Sequence, residues 1–110
     1  MKIRILKFLP HALSCQGFVY GKQRDYEKAL GCLNQLEEGR KTVPLAYVSS
    51  WHYALVYAGM GRTEQALDAL DRAFEERCDW LIHAGVEPRW KEIRDEERLR
   101  NLLSRVGVMV

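Results

Sequence analysis

Residues 54–57 (ALVY) and 63–70 (TEQALDAL) occur in altered form 37 positions earlier, as GFVY at 17–20 and YEKALGCL at 26–33. Gly17 matches Ala54, Tyr20 matches Tyr57, Ala29 matches Ala66 and Leu33 matches Leu70. No other feature constrains the fold so much. A unit this short cannot bury its own apolar face and must stack on its copy.

Within the second copy the apolar positions follow an α-helix. From Tyr47, the residues Trp51, Ala54, Leu55 and Ala58 recur at steps of four, seven, eight and eleven, which is one helical stripe. Gly59 and Gly61 end it. A second stripe follows at Ala66, Leu70, Ala73 and Phe74, with Thr63 expected as N-cap and Glu64 in the first turn. The connection is short, so the two helices form an antiparallel pair. Alanine at 66 and 73 keeps helix propensity while letting two backbones cross closely. In the first copy the turn glycine is replaced by Arg24 and the late alanine by Leu36, and Asp25 is placed to cap the second helix.

Small and aromatic residues on the first helix, with Ala and Leu on the second, resemble the tetratricopeptide repeat, a helix-turn-helix unit of about 34 residues. The extra residues fall in the connection EEGRKTVP at 37–44. In the second unit Ala54, Tyr57, Gly61, Ala66, Leu70 and Ala73 meet the family pattern. The usual large aromatic falls on Ser50 with Trp51 beside it, and Cys78 replaces the closing proline. The remainder, from Cys78 onward, is similar to the segment that closes such repeats at the C-terminal end of bacterial regulatory and signalling chains.

The resemblance implies an all-α fold: a right-handed superhelical stack of antiparallel helix pairs, about two repeats plus a C-terminal capping segment. The expected layout is one domain over 1–110, with helix pairs at 10–39 and 45–77 and capping helices at 79–107. A stack needs an end that covers its last apolar face. Trp80, Leu81 and Ile82 are expected to do this, and Pro88 to start a further turn. Leu99, Leu102, Leu103 and Val106 form the stripe of a terminal helix that Gly107 stops.

In that family the first helix of each unit lines a concave groove that receives a peptide or another protein. Carried over by position, the groove residues are His11, Ser14, Phe18, Gly21 and Lys22 from the first unit and Val48, Trp51, Leu55, Ala58 and Gly59 from the second. Its centre is Phe18, Trp51 and Leu55, and aromatic anchors in an apolar patch suit a partner's hydrophobic side chains. The Lys and Asn of the carboxylate clamp of chaperone-binding members are missing; Ser14, Phe18, Trp51 and Leu55 stand there. The same aromatics serve equally well as core. The expected function is protein–protein interaction through this groove. The alternative is a regulatory or self-assembling (homodimeric) domain detached from a larger bacterial signalling protein, with an apolar end near Phe8 and Leu9.

Other classes find little support. His11, His52 and His83 lie in no metal-ligand spacing, and no GxxxxGK[ST] loop is present. Cys15 and His52 occupy the same repeat position and form a conceivable nucleophilic pair, against which stands their reading as ordinary helix-face residues. No catalytic residue, cofactor or metal is expected. Cys15, Cys32 and Cys78 form no CxxC pair, which suits a reducing cytoplasm. The 17 basic and 15 acidic side chains are dispersed, and the cations between Arg89 and Arg105 are interleaved with acids, so no nucleic-acid partner is expected. The opening MKIRILKFLPHALSC has a signal-like cast, but Lys7, Pro10 and His11 break its apolar run. Met1–Leu9 reads as a lead-in or the start of a preceding helix, and no stretch approaches the roughly 20 apolar residues of a membrane span.

Overall fold

The computed structural model describes residues 10–42, 48–78, 81 and 88–106. They hold no strand. Five α-helices, α1 (Pro10–Lys22), α2 (Tyr26–Thr42), α3 (Ser50–Gly59), α4 (Thr63–Glu75) and α5 (Glu97–Val106), are joined by a 3-10 turn at Pro88–Trp90. The all-α expectation holds, and Pro88 does open a turn. The expectations for Met1–Leu9, for residues 43 and 44 of the connection, for Tyr47, for Trp80, Ile82 and His83, and for the stop at Gly107 lie outside the described residues, whereas residues 37–42, expected in the connection, are the last turns of α2.

The 37-residue repetition extends to individual hydrogen bonds. α2 and α4 start at Tyr26 and Thr63, while α1 and α3 end at Lys22 and Gly59. In the first turn Arg24 N donates to Gly21 O and Asp25 N to Tyr20 O; in the second, Gly61 N donates to Ala58 O and Arg62 N to Tyr57 O. This pair of bonds is the Schellman closure, which needs a left-handed residue just past the helix. Gly61 (φ 77°) and Arg24 (φ 64°) fill that position. Glycine does so freely, whereas a side chain costs roughly 1–2 kcal/mol. α4 ends the same way at Arg77 (φ 59°), with Arg77 N donating to Phe74 O and Cys78 N to Ala73 O.

The closure also corrects one expectation. Arg62 N is committed backwards to Tyr57 O, so the helix begins immediately after it: Thr63 is the first helical residue, and the cap is Arg62, whose side chain makes no capping bond. Asp25 does stand at the cap of α2, with Oδ1 3.4 Å from Lys28 N.

Ala29 and Ala66 are fully buried, but the closest helix approach lies elsewhere. α1 and α3 meet backbone to backbone, so that a Cβ added at Gly59 would lie 2.4 Å from Phe18 O. This makes α3 the central helix. Ser50, Trp51, His52, Ala54, Leu55, Val56, Ala58 and Gly59 are all buried on it, as befits a helix covered on every side. α4 and α5 are peripheral and carry single apolar stripes, Ala66, Leu67, Leu70 and Ala73 on one and Leu99, Leu102 and Leu103 on the other. Outside that contact Arg98 of α5 reaches Glu64, Asp68 and Asp71 of α4 at 3.0, 2.9 and 2.6 Å. These exposed pairs set register more than stability, at about 1 kcal/mol or less each.

Candidate functional site

The residues expected to line one groove are divided between two faces and the core. Ser14, Trp51 and Leu55 are wholly buried. Ser14 Oγ donates to His11 O at 2.7 Å, the usual way a hydroxyl is satisfied inside a helix. Trp51 is covered by Trp90 of the 3-10 turn, with ring centroids 4.7 Å apart and planes at 53°. Both rings belong to the main core cluster with Leu55, Leu70, Leu81 and Leu99. The open centre expected at Trp51 and Leu55 is thus filled by the chain's own C-terminal segment, which is the core reading of these aromatics. A polar-looking stretch, PRWKEIR, supplies the cover through Trp90 and Ile93, both buried.

That segment is tied to α1 along its length. Lys22 Nζ lies 2.7 Å from Glu92 Oε1, and this pairing holds the Glu92 carboxyl below its ordinary range. Arg89 Nη1 donates to Cys15 Sγ at 2.8 Å, and His11 Nε2 lies 3.8 Å from the same sulfur. Cys15 therefore meets His11 and Arg89 rather than the His52 that shares its repeat position. His52 is engaged elsewhere. Its Nδ1 accepts from Ser49 N at 3.1 Å, the role a Glu or Gln takes in a capping box. Burial, and then the nearby His11 imidazole, push His52 down to about 4.

Two clefts among the described residues include side chains expected in the groove. Phe18 and Lys22 meet Pro88, Arg89, Lys91 and Glu92 across a cleft of about 340 Å³, with the Lys22 ammonium 5.8 Å from the Phe18 ring centroid. This is the part of the expected groove that stays accessible, and three of its six lining residues are cationic. Pro88, Arg89, Lys91 and Glu92 were invisible to positional reasoning because they follow the repeats. Their one signal was an isolated tryptophan among charges, which needs burial somewhere.

Val48 belongs to a different face. It lines a cleft of about 390 Å³ with Glu37, Arg40, Tyr53, Tyr57 and Glu76. Here the polar groups satisfy one another. Tyr53 Oη donates to Glu37 Oε1 at 2.7 Å, and the Glu76 carboxylate accepts from Ser50 N at 2.9 Å and Ser50 Oγ at 2.8 Å. A carboxylate at the start of α3 suits the positive end of the helix dipole. Burial, and then Glu37, push the Tyr53 phenol up to about 12, while Arg40 first and Tyr53 second hold Glu37 below its usual range. The Tyr53–Glu37 bond braces the first helix pair against the second.

Among the described residues no group of three or more His, Cys, Asp or Glu is placed to hold a metal ion, and no helix is long and apolar enough to cross a membrane. No protein-family model, curated protein or solved structure matches the chain.

Proposed function

We propose that the protein is a protein–protein interaction module of the tetratricopeptide type, a right-handed stack of two helix pairs closed by a C-terminal cap, without catalysis of its own. The repetition of helix boundaries and closing bonds at 37 residues supports the repeat assignment. One observation carries the functional reading: the face of α1 and α3 already receives an irregular stretch of polypeptide, residues 88–93, through a seated tryptophan and flanking charged contacts. A surface that holds one segment this way has the chemistry to hold another. The partner engages the accessible rim at Phe18, Lys22, Arg89 and Lys91, where an aromatic ring and cations favour a segment with apolar and acidic side chains.

The same observation favours a second reading, a regulatory domain from the C-terminal end of a longer, cytoplasmic bacterial signalling protein, whose binding face serves contacts within its own chain. Co-purification followed by mass spectrometry, run in parallel on the wild type and on Phe18→Ala/Lys22→Glu, tests the first. A partner kept by the wild type and lost by the variant, at unchanged helicity, is the expected result. Equal retention by both would place binding away from this rim.

A further inference from the structure

The repeat register identifies a second face on the opposite flank of α1. On α3 and its C-cap, the residues that meet the first helix pair include His52, Tyr53, Val56, Gly59 and Met60. The His52 ring lies 6.3 Å from that of His11, Tyr53 bonds to Glu37, Val56 packs on Gly17, and Gly59 and Met60 touch Phe18 and Gly21. Their counterparts 37 positions earlier are Cys15, Gln16, Val19, Lys22 and Gln23. The burial is reversed: Val56 is 0% exposed and Val19 is 48% exposed, the largest exposure of any big apolar side chain among the described residues. Cys15, Gln16, Val19, Tyr20 and Gln23 together line a shallow hollow of about 350 Å³. α1 therefore exposes the face whose repeat counterpart α3 buries.

What covers it follows from two departures from the α3 pattern. A further helix pair stacked in the same register is blocked, because the position of closest backbone approach, Gly59 on α3, is Lys22 on α1, with its ammonium held by Glu92. None of the five residues that line the hollow is charged, although Arg89 bonds to Cys15 and Lys28 lies 5.6 Å from the Tyr20 ring centroid. Gln16 and Gln23 stand seven apart on one face of α1, with Val19 and Tyr20 midway between them. An amide both donates and accepts, so amides placed evenly about an apolar centre are complementary to themselves under a two-fold axis.

We propose that a second copy of this chain docks here, α1 antiparallel to its twofold mate, forming a homodimer through an isologous contact. Val19 and Tyr20 form its apolar centre, and each Gln16 faces the partner's Gln23. Lys22 stays at the rim. This contact is separate from the groove of the proposed function and stands or falls without it.

Sedimentation equilibrium of the full chain, from low micromolar to near-millimolar concentration, is the test. The wild type is expected to pass from monomer to dimer over this range, and Val19→Glu to remain monomeric with an unchanged far-ultraviolet circular dichroism spectrum. Gln16→Lys/Gln23→Lys is expected to be monomeric. Gln16→Lys/Gln23→Glu is expected to dimerise at least as tightly as the wild type, and less so at high salt, because each new lysine then faces a glutamate across the axis. Phe18→Ala, on the groove rim, leaves self-association unchanged. A wild type that stays monomeric throughout overturns the proposal, as does a dimer indifferent to Val19→Glu or to the difference between the two charge variants. If Val19→Glu fails to fold, the two charge variants decide the matter alone.

Discussion

Gly21 and Gly59 hold α1 and α3 in backbone contact: a Cβ at Gly21 would lie 2.5 Å from the Gly59 carbonyl carbon, and one at Gly59 2.6 Å from Phe18 Cα. Neither obstacle is a side chain that can swing away. Gly59→Ala is therefore expected to destabilise the fold by about 1–3 kcal/mol, overriding the gain in helix propensity. Gly31, inside α2 with nothing within 4 Å of its missing Cβ, is the control. Gly31→Ala is expected to stabilise by about 0.5–1 kcal/mol. Urea denaturation of both variants checks the pair, and a shared sign would contradict the close approach.

The Trp51–Trp90 contact gives a second prediction. Each ring is fully buried, so Trp51→Ala and Trp90→Ala should each cost about 3–5 kcal/mol. The double variant should cost less than the two together, with a coupling of roughly 0.5–3 kcal/mol. Additive losses would mean that the rings do not lean on each other.

His52 makes stability depend on pH. Its folded value, about 4, lies below the ordinary 6.5 of the unfolded chain, so the unfolded state binds the extra proton in between. The stability is fully present above pH 6.5 and is lost as pH falls toward 4, by roughly 3 kcal/mol at this site. His11 on α1 adds to the depression, while the Glu76 carboxylate acts against it. His52→Gln keeps an acceptor for Ser49 N without the titration. Its unfolding free energy should fall less steeply than that of the wild type between neutral pH and pH 4.5, and parallel slopes would remove His52 as the cause.

A fourth prediction concerns the turns. Arg24 occupies the left-handed position that Gly61 fills one repeat later. Arg24→Gly relieves the steric cost, less the entropy glycine gains when unfolded, and is expected to stabilise by about 0.5–1 kcal/mol. Gly61→Ala is expected to destabilise by a similar amount. Thermal melts of the two variants should move in opposite directions.

How far these features could be read from sequence depends on how local their causes are. The paired helices, the turn at Gly61 and the burial of Ala29 and Ala66 follow from short-range periodicity and so were visible. The left-handed arginines were not, because arginine carries no turn signal and only repeat alignment with Gly61 exposes Arg24. Positional analogy placed Trp51 and Leu55 in a groove, since helix spacing alone cannot say what covers a face. The cover, Trp90, sits in a stretch where Trp90 and Ile93 are the only buried side chains among charged neighbours, too few to define a period. Val48 was misplaced for a related reason: it precedes α3, where the helical phase used to assign groove positions does not apply.

The indole at position 51 receives its lid from a residue 39 positions downstream. A nascent chain therefore emerges from the ribosome with the Trp51 ring lacking this cover until Pro88–Trp90 has been translated. Completion of this core waits for that turn, and a truncated product lacking it should present to chaperones and proteases as an unfinished protein.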